Sequence, residues 1–223
     1  SQSAFVPGRL ISDNAIVAFE VMHYIQQERN PEVNNCAYKH DLSKAYDRVD
    51  WSFLESAMMK MGFSSKWVQW IMQCVTTVRF RVNFNGKLLD QFSPSRGLRQ
   101  GDPLSPFLFL FVADSLSSLI QDAVATGGLR PVVICRTAPA ISHLLFADDT
   151  LLFFQATEKQ AMMVRDILDR YSSATGQLIN PSKCSMLFAD VCPHGKRQRI
   201  KRILDVLSEH FEDRYLGLPA PEG

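Results

Sequence analysis

The segment SHLLFADDTLLFF constrains this chain more than any other, because two apolar runs enclose an adjacent pair of carboxylates, Asp148 and Asp149. Apolar runs of that length suit buried strands, and a short acidic interruption between them suits the turn of a hairpin. Two carboxylates beside a core repel each other and lose hydration, a cost that a neighbouring cation relieves. A further acidic residue, Asp41, lies within a strand-like run from Cys36 to Leu42. If the two strands lie side by side, the carboxylates form an oxygen-rich site of the kind Mg²⁺ prefers. Two such ions ~3.5–4 Å apart activate a hydroxyl nucleophile and stabilise a leaving pyrophosphate. An Asp-Asp pair by itself is usually just an ordinary turn or helix cap. Asp47 and Asp50 read as structural, with Asp50 capping a helix.

The rest of the chain alternates helical and strand signals. A first helix is capped by Ser12 or Asp13, with Ile16, Val17, Tyr24 and Ile25 near helical spacing. A second runs from Asp50 through Met59 to a stop at Gly62, and a third follows Ser65. Asn85-Gly86 between strand-like runs predicts a tight hairpin. GLRQGDPLSP is a loop feeding an apolar helix that lasts to Gly127-Gly128, with Pro103 pre-set for its first turn. Thr157 and Gln160 make a capping box for a helix that ends near Gly176. Hairpins outnumber parallel crossovers, so the predicted class is α+β. No repeat or low-complexity linker divides the chain.

Net charge is only +1, from Lys+Arg 24 against Asp+Glu 23, so any polyanion-binding surface has to be local. The five cysteines (Cys36, Cys74, Cys135, Cys184 and Cys192) are scattered and odd in number, which argues against a disulfide framework or a zinc site and for reduced thiols. The longest apolar stretch, Pro106 to Ala113, falls short of the roughly 20 residues of a membrane span. No signal peptide is visible, and the absence of an initiator Met leads to the expectation of a fragment.

Five blocks in this order, HDLSKAYDRVDW, RGLRQGDPLSPFLF, SHLLFADDTLLFF, TGQLINPSKCSMLF and YLGLP, resemble the reverse transcriptases of non-LTR (LINE-type) retrotransposons, most closely those of plants. The resemblance runs from QSAFVPGR at the start to YLGLP at the end. It implies a right-hand polymerase palm, an antiparallel sheet with packed helices. Residues 1–35 would be partial fingers and 36–223 mainly palm, with a further fingers portion before RQGDPLSP. The chain is expected to begin inside the fingers and stop at the primer grip, without a thumb.

The same resemblance implies an RNA-directed DNA polymerase. It would use two Mg²⁺ ions, with Mn²⁺ as a substitute, and take an RNA template, a DNA primer and dNTPs. The implied metal ligands are Asp41 and Asp148, supported by Asp149. Tyr46 matches the aromatic residue beneath the sugar that disfavours a 2′-hydroxyl, although as a side chain it is equally a core aromatic. Gln100 and Gly101 match positions along the incoming nucleotide and template, and Arg9 matches a triphosphate contact. Lys183 resembles a lysine that protonates the leaving pyrophosphate, or is a solvated loop lysine. Tyr215, Leu216 and Gly217 match the primer-grip turn. The resemblance implies an intracellular, nuclear site of action, and oligomeric state is not legible. His40, where the family has an apolar residue, is expected to be a hydrogen-bonded core histidine. The basic run from His194 to Arg202 is open to two readings, a phosphate track or a solvated helix face. An inactive retrotransposon remnant that binds RNA at most is the competing function. An RNA-dependent RNA polymerase is opposed by the bulk of Tyr46.

Overall fold

The computed structural model describes residues 2–30, 34–209, 214–216 and 218–219. In chain order its elements are α1 (Ile11–Gln27), β1 (Asn35–His40), α2 (Trp51–Lys60), α3 (Ser65–Thr76), β2 (Asn83–Phe84), β3 (Lys87–Leu88) and α4 (Ser105–Ala125). There follow β4 (His143–Phe146), β5 (Asp149–Gln155), α5 (Glu158–Thr175), β6 (Ser185–Phe188), α6 (His194–Leu204), β7 (Arg214–Tyr215) and β8 (Leu218–Pro219). The main sheet has the order β4-β5-β1-β6, antiparallel throughout. Sequence-distant strands are therefore neighbours, with β1 opposite β5 from Asn35↔Gln155 to His40↔Thr150.

Both faces of this sheet are covered, which is why β5 reads as a continuous apolar run rather than an alternating one. Tyr38, Leu152 and Phe154 face one core with Leu54, Phe109, Leu116 and Leu168 of α2, α4 and α5. Ala37, Leu151 and Phe153 face a second core closed by Ala15, Ala18, Val21 and Ile25 of α1. Full burial of a Phe such as Phe153 or Phe154 contributes about 2–3 kcal/mol. The helix α4 is long and apolar enough to cross a membrane by length and composition. Leu108, Phe109, Val112 and Leu116 on it are nevertheless buried against the rest of the protein.

Several local predictions need correction. Leu10, not Ser12 or Asp13, is the N-cap of α1, and Asp13 reaches back to accept the Leu10 N–H at 3.3 Å. Ile16 is exposed, because the buried stripe of α1 is carried by Ala15, Ala18, Val21, Met22 and Ile25. Pro103 precedes α4, and Pro106 is the proline in its first turn. The Thr157 hydroxyl does accept the Gln160 N–H at 3.2 Å. Gln160 does not complete the box; its amide instead donates to Gly128 O at 2.8 Å and accepts from Arg130 N at 2.6 Å. Asp50 caps α2 through the Phe53 N–H at 2.8 Å, as the sequence predicts. All five cysteines are free.

Candidate active site

The β1–β5 register carries Asp41 to the same end of the sheet as the β4–β5 hairpin. Phe146 pairs with Asp149 across a tip made of Ala147 and Asp148, with Ala147 at φ +55°. Asp41 follows His40, the last paired residue of β1, so the strand order brings the acidic positions together. Beyond β1 the chain is held by the segment before β6: Leu42 bridges Ile179, and Asp41 O accepts the Asn180 N–H at 3.0 Å. The turn after Asn180 places Lys183 opposite the Asp41 carboxylate.

Electrostatics follow from that placement. Burial pushes the Asp41 carboxyl up from its ordinary value; the Lys183 ammonium opposes the shift, the Asp148 carboxylate adds to it, and Lys39 opposes it. Asp41 Oδ1 is buried and has no hydrogen-bond partner. An ionisable oxygen so placed, facing a second carboxylate, is a fit for a cation. Among the described residues, no three His, Cys, Asp or Glu side chains form a ready-made ion cage. Asp41, Asp148 and Asp149 therefore do not group as one such cage, and an ion held by Asp41 and Asp148 would take its remaining positions from water and phosphate oxygens.

Tyr46 lies in a short helical turn after Asp41, half-buried, its ring stacked on Phe109 at 4.8 Å between centroids. Burial, and then the Asp148 charge, raise its phenol pKa, so Tyr46 is both a core aromatic and a neighbour of the acidic tip. Its turn is fixed from two sides. The buried amide of Gln177 donates to Ala45 O at 2.9 Å. On the other side, Gly97 N donates to Val49 O and Leu98 N to Tyr46 O, both at 2.8 Å. Gly97 has φ +90°, and a Cβ there would lie 2.6 Å from Asp47 O. Gln100 and Gly101 are exposed on the loop that Gly97 anchors. Gly101 has φ +84° with open space around its Cβ position, so the turn itself is what requires glycine there.

The N-terminal segment runs along the outer side of the hairpin. Gln2 bridges Leu145, Ser3 N donates to Leu145 O at 3.1 Å, and Gln2 Oε1 accepts the Ala147 N–H at 3.2 Å. Asn14 of α1 donates to Leu145 O at 2.9 Å. Arg9, matched above to a triphosphate contact, donates to Gln2 O. It is exposed and close in sequence to this brace. Gln2 and Gln177 fall within the quoted blocks QSAFVPGR and TGQLINPSKCSMLF, but residue type alone does not tell that they and Asn14 are amides holding backbone. Tyr215 is buried in the second core, and burial followed by the Asp149 carboxylate pushes its phenol pKa up. Leu216 sits at φ +52° in the β7–β8 turn. Gly217, the remaining primer-grip position, lies outside the described residues.

Two expectations resolve differently. His40 is fully buried, but neither ring nitrogen has a hydrogen-bond partner, and burial lowers its pKa to about 4. The basic run forms α6, where Arg197 donates to Ala189 O, Asp190 O and Cys192 O. Arg199 pairs with Glu158, and Lys201 with Glu209 at 3.1 Å. Most of that charge is used within the protein.

Known proteins resemble this chain over part or most of its length. A 66-residue stretch is 50% identical to an uncharacterized mitochondrial protein of Arabidopsis thaliana, covering 30% of this chain and 54% of that one. The resemblance to plant proteins rests on that stretch. Over 170 residues the chain is 29% identical to the Pol polyprotein of the type-1 retrotransposable element R2 of Popillia japonica, covering 75% of this chain and 26% of the polyprotein. The chain thus spans about half of the first relative and a quarter of the second. Apo telomerase of Candida tropicalis, truncated from its C-terminal domain, superposes with a TM-score of 0.60 over 85% of this chain and 36% of its own, at 15% identity. That likeness is one of fold, the polymerase palm. The family described as reverse transcriptase (RNA-dependent DNA polymerase) matches residues 1–219, and the chain belongs to it.

Proposed function

We propose that this chain is the polymerising core of a non-LTR retrotransposon reverse transcriptase, adding dNTPs to a primer 3′-hydroxyl on an RNA template. The observation that carries the reading is the buried, unpartnered Asp41 Oδ1 facing Asp148 at the end of a palm sheet. Reverse transcriptases as a family work with divalent metal ions. Here Asp41 and Asp148, with Asp149 in support, would hold two Mg²⁺ ions. Bound there, such ions would activate the primer hydroxyl and neutralise charge on the departing pyrophosphate.

The protein's own contribution is positioning and charge. Tyr46, held flat on Phe109 beside the acidic tip, supplies the bulk that rejects a 2′-hydroxyl on the incoming sugar. Lys183 faces Asp41 from a turn pinned by Asn180, where its ammonium can donate a proton to the leaving phosphate. Gln100 and Gly101 line the path of nucleotide and template. Tyr215 and Leu216 brace the primer end, and Arg9 serves the triphosphate or the Gln2 brace. In this reading the sheet and the helices α4 and α5 form the palm, and residues 1–35 and the stretch from α2 to the loop before α4 belong to the fingers.

Primer extension on an RNA template with Mg²⁺ and dNTPs tests the proposal. The parent chain extends the primer, whereas Asp41→Asn and Asp148→Asn each lose activity by at least about a thousandfold while circular dichroism stays unchanged. Near-full extension by either variant would overturn the ligand assignment. Equal use of NTPs and dNTPs would remove the role given to Tyr46. A parent chain that binds RNA but never extends would leave only the inactive remnant.

A further inference from the structure

Residues 175–180 run beside residues 41–50, and backbone ties hold both ends of that contact. At one end Asn180 N donates to Asp41 O at 3.0 Å and Ser43 N to Leu178 O at 2.8 Å; at the other, Asp50 N donates to Thr175 O at 3.0 Å. Between them the turn that carries Tyr46 is reached by a side chain, the Gln177 amide, which donates to Ala45 O at 2.9 Å. Gln177 is only 3% exposed, and its Oε1 is buried without a hydrogen-bond partner. The unpaired oxygen offsets most of what the donated bond contributes to stability. A methionine of similar length would leave the fold about as stable, so stability alone does not account for an amide here.

Placement of the neighbouring ring does account for it. The carbonyl of Ala45 belongs to the peptide plane before the Tyr46 Cα, and the carbonyl of Tyr46 to the plane after it. Gln177 holds the first, and the Leu98 N–H, at 2.8 Å, holds the second. With both planes held, the φ and ψ of Tyr46 are set, and so is the direction of its Cα–Cβ bond. The ring then completes its placement by stacking on Phe109, with the two planes 14° apart. The Leu98 tether is made by backbone, so residue type at 98 does not decide whether it forms. The tether on Ala45 exists only while the side chain at 177 can donate and is long enough to reach. Rejection of one hydroxyl on a sugar depends on where that ring stands, and a misplacement of about 1 Å at a reacting centre is worth up to about a hundredfold in rate.

We infer that Gln177 is a specificity-determining positioning residue: by pinning Ala45 O it fixes the stance of the Tyr46 ring, and with it the preference for deoxyribonucleotides over ribonucleotides. Buried as it is, Gln177 acts through Tyr46 and not on the nucleotide itself. The inference rests on the polymerase reading and on the role given there to Tyr46, and it adds a residue more than 130 positions away in sequence that sets how well Tyr46 performs that role.

The test is single-nucleotide primer extension by the full chain on an RNA template with Mg²⁺, giving kcat/KM for dATP and for ATP. Gln177→Met lowers the dATP/ATP preference about tenfold through a rise in kcat/KM for ATP, while kcat/KM for dATP stays within about threefold of the parent value. Its Tm stays within about 3 °C of the parent chain. Gln177→Asn keeps an amide but is one methylene short, and it behaves as Gln177→Met does. In Tyr46→Ala, which itself loses the preference, adding Gln177→Met changes the ratio no further, because the two residues act as one unit. Amide exchange gives a second readout that needs no nucleotide. In Gln177→Met the Leu98 N–H, which donates to Tyr46 O, exchanges about tenfold faster, while the Asn180 N–H on Asp41 O keeps its protection. A merely structural role predicts a different pattern, a lower Tm with both substrates falling together at an unchanged ratio, and that pattern overturns the inference. So does a further drop in the ratio when Gln177→Met is added to Tyr46→Ala, or unchanged exchange at Leu98. If the parent chain prefers dATP and Tyr46→Ala abolishes the preference while Gln177→Met keeps it, the inference falls and the polymerase reading stands. A parent chain that never extends removes the polymerase reading first, and the selectivity role goes with it.

Discussion

His40 sets the residue-scale problem: a polar ring fully inside the core, one position from the proposed metal ligand, with two nitrogens that nothing satisfies. Leaving buried polar atoms unpaired costs about 1–3 kcal/mol. His40→Leu, which keeps the volume and removes both nitrogens, should therefore raise stability by about 1 kcal/mol, a Tm gain of about 2–4 °C for a chain of this size. A drop in Tm would mean that the shape of the ring outweighs its polarity. His143 shares the burial but not the isolation: its Nε2 lies 2.8 Å from Ser117 Oγ and its Nδ1 2.9 Å from Ser142 Oγ. Burial lowers its pKa from 6.5 to about 4, as it does for His40. Both rings are neutral in the fold and protonate more readily in the unfolded chain. Their contribution is complete above about pH 6.5 and drains away as pH falls toward 4. Thermal melts across that window should show Tm falling steadily in the parent chain and less steeply in His40→Leu.

At the scale of elements, the parts that announced themselves in the sequence are those whose local chemistry decides them. Asn85-Gly86 makes its hairpin because both residues take positive φ, +49° and +80°, in two-residue register. Gly176 closes α5 at φ +76°, and Asp50 opens α2. The acidic hairpin was legible for a related reason: apolar runs on both sides leave it no other place than the end of a buried sheet. What was not legible is what braces it. Gln2, Gln177 and Gly97 lie in the quoted blocks, yet like Asn14 they act across long sequence separations, through single amides and one close approach, and no spacing along the chain tells which backbone each one meets. Gly97→Ala should lose about 2–3 kcal/mol in urea denaturation, since the new Cβ meets Asp47 backbone at 2.6 Å in a left-handed conformation. Gly101→Ala, equally left-handed but open, should lose only about 1 kcal/mol. Equal losses would mean that the Gly97 tether does not position the catalytic turn. Asn14→Ala removes donors to Leu145 O and Ser3 Oγ. Amide exchange at Ala147 and Asp148 should then accelerate about tenfold, while β1 amides keep their protection.

For the whole molecule, the sheet packs both its faces into cores and leaves one end of its strands with a charge arrangement that opposes folding. The Asp41 carboxyl is pushed up by burial and by Asp148, against Lys183 and Lys39, so the ionised form is less favourable in the fold than in the unfolded chain. The sign follows: stability is complete while the carboxyl is protonated and is lost as pH rises through its raised pKa, so at neutral pH the site is a net cost. Neutralising that charge has to stabilise the protein, whether by substitution or by a bound cation. Asp41→Asn should accordingly melt at or a few degrees above the parent chain without metal. Mg²⁺ or Mn²⁺ at ten times its Kd should raise the Tm of the parent chain by about 3–6 °C, the share of roughly 1.4 kcal/mol of binding linkage, and should leave Asp41→Asn unmoved. The measurement needs no template, primer or nucleotide, so it reports on the carboxylates alone. A parent chain whose Tm ignores both ions, or an Asp41→Asn variant that responds as the parent does, would place the metal elsewhere than at the end of β1.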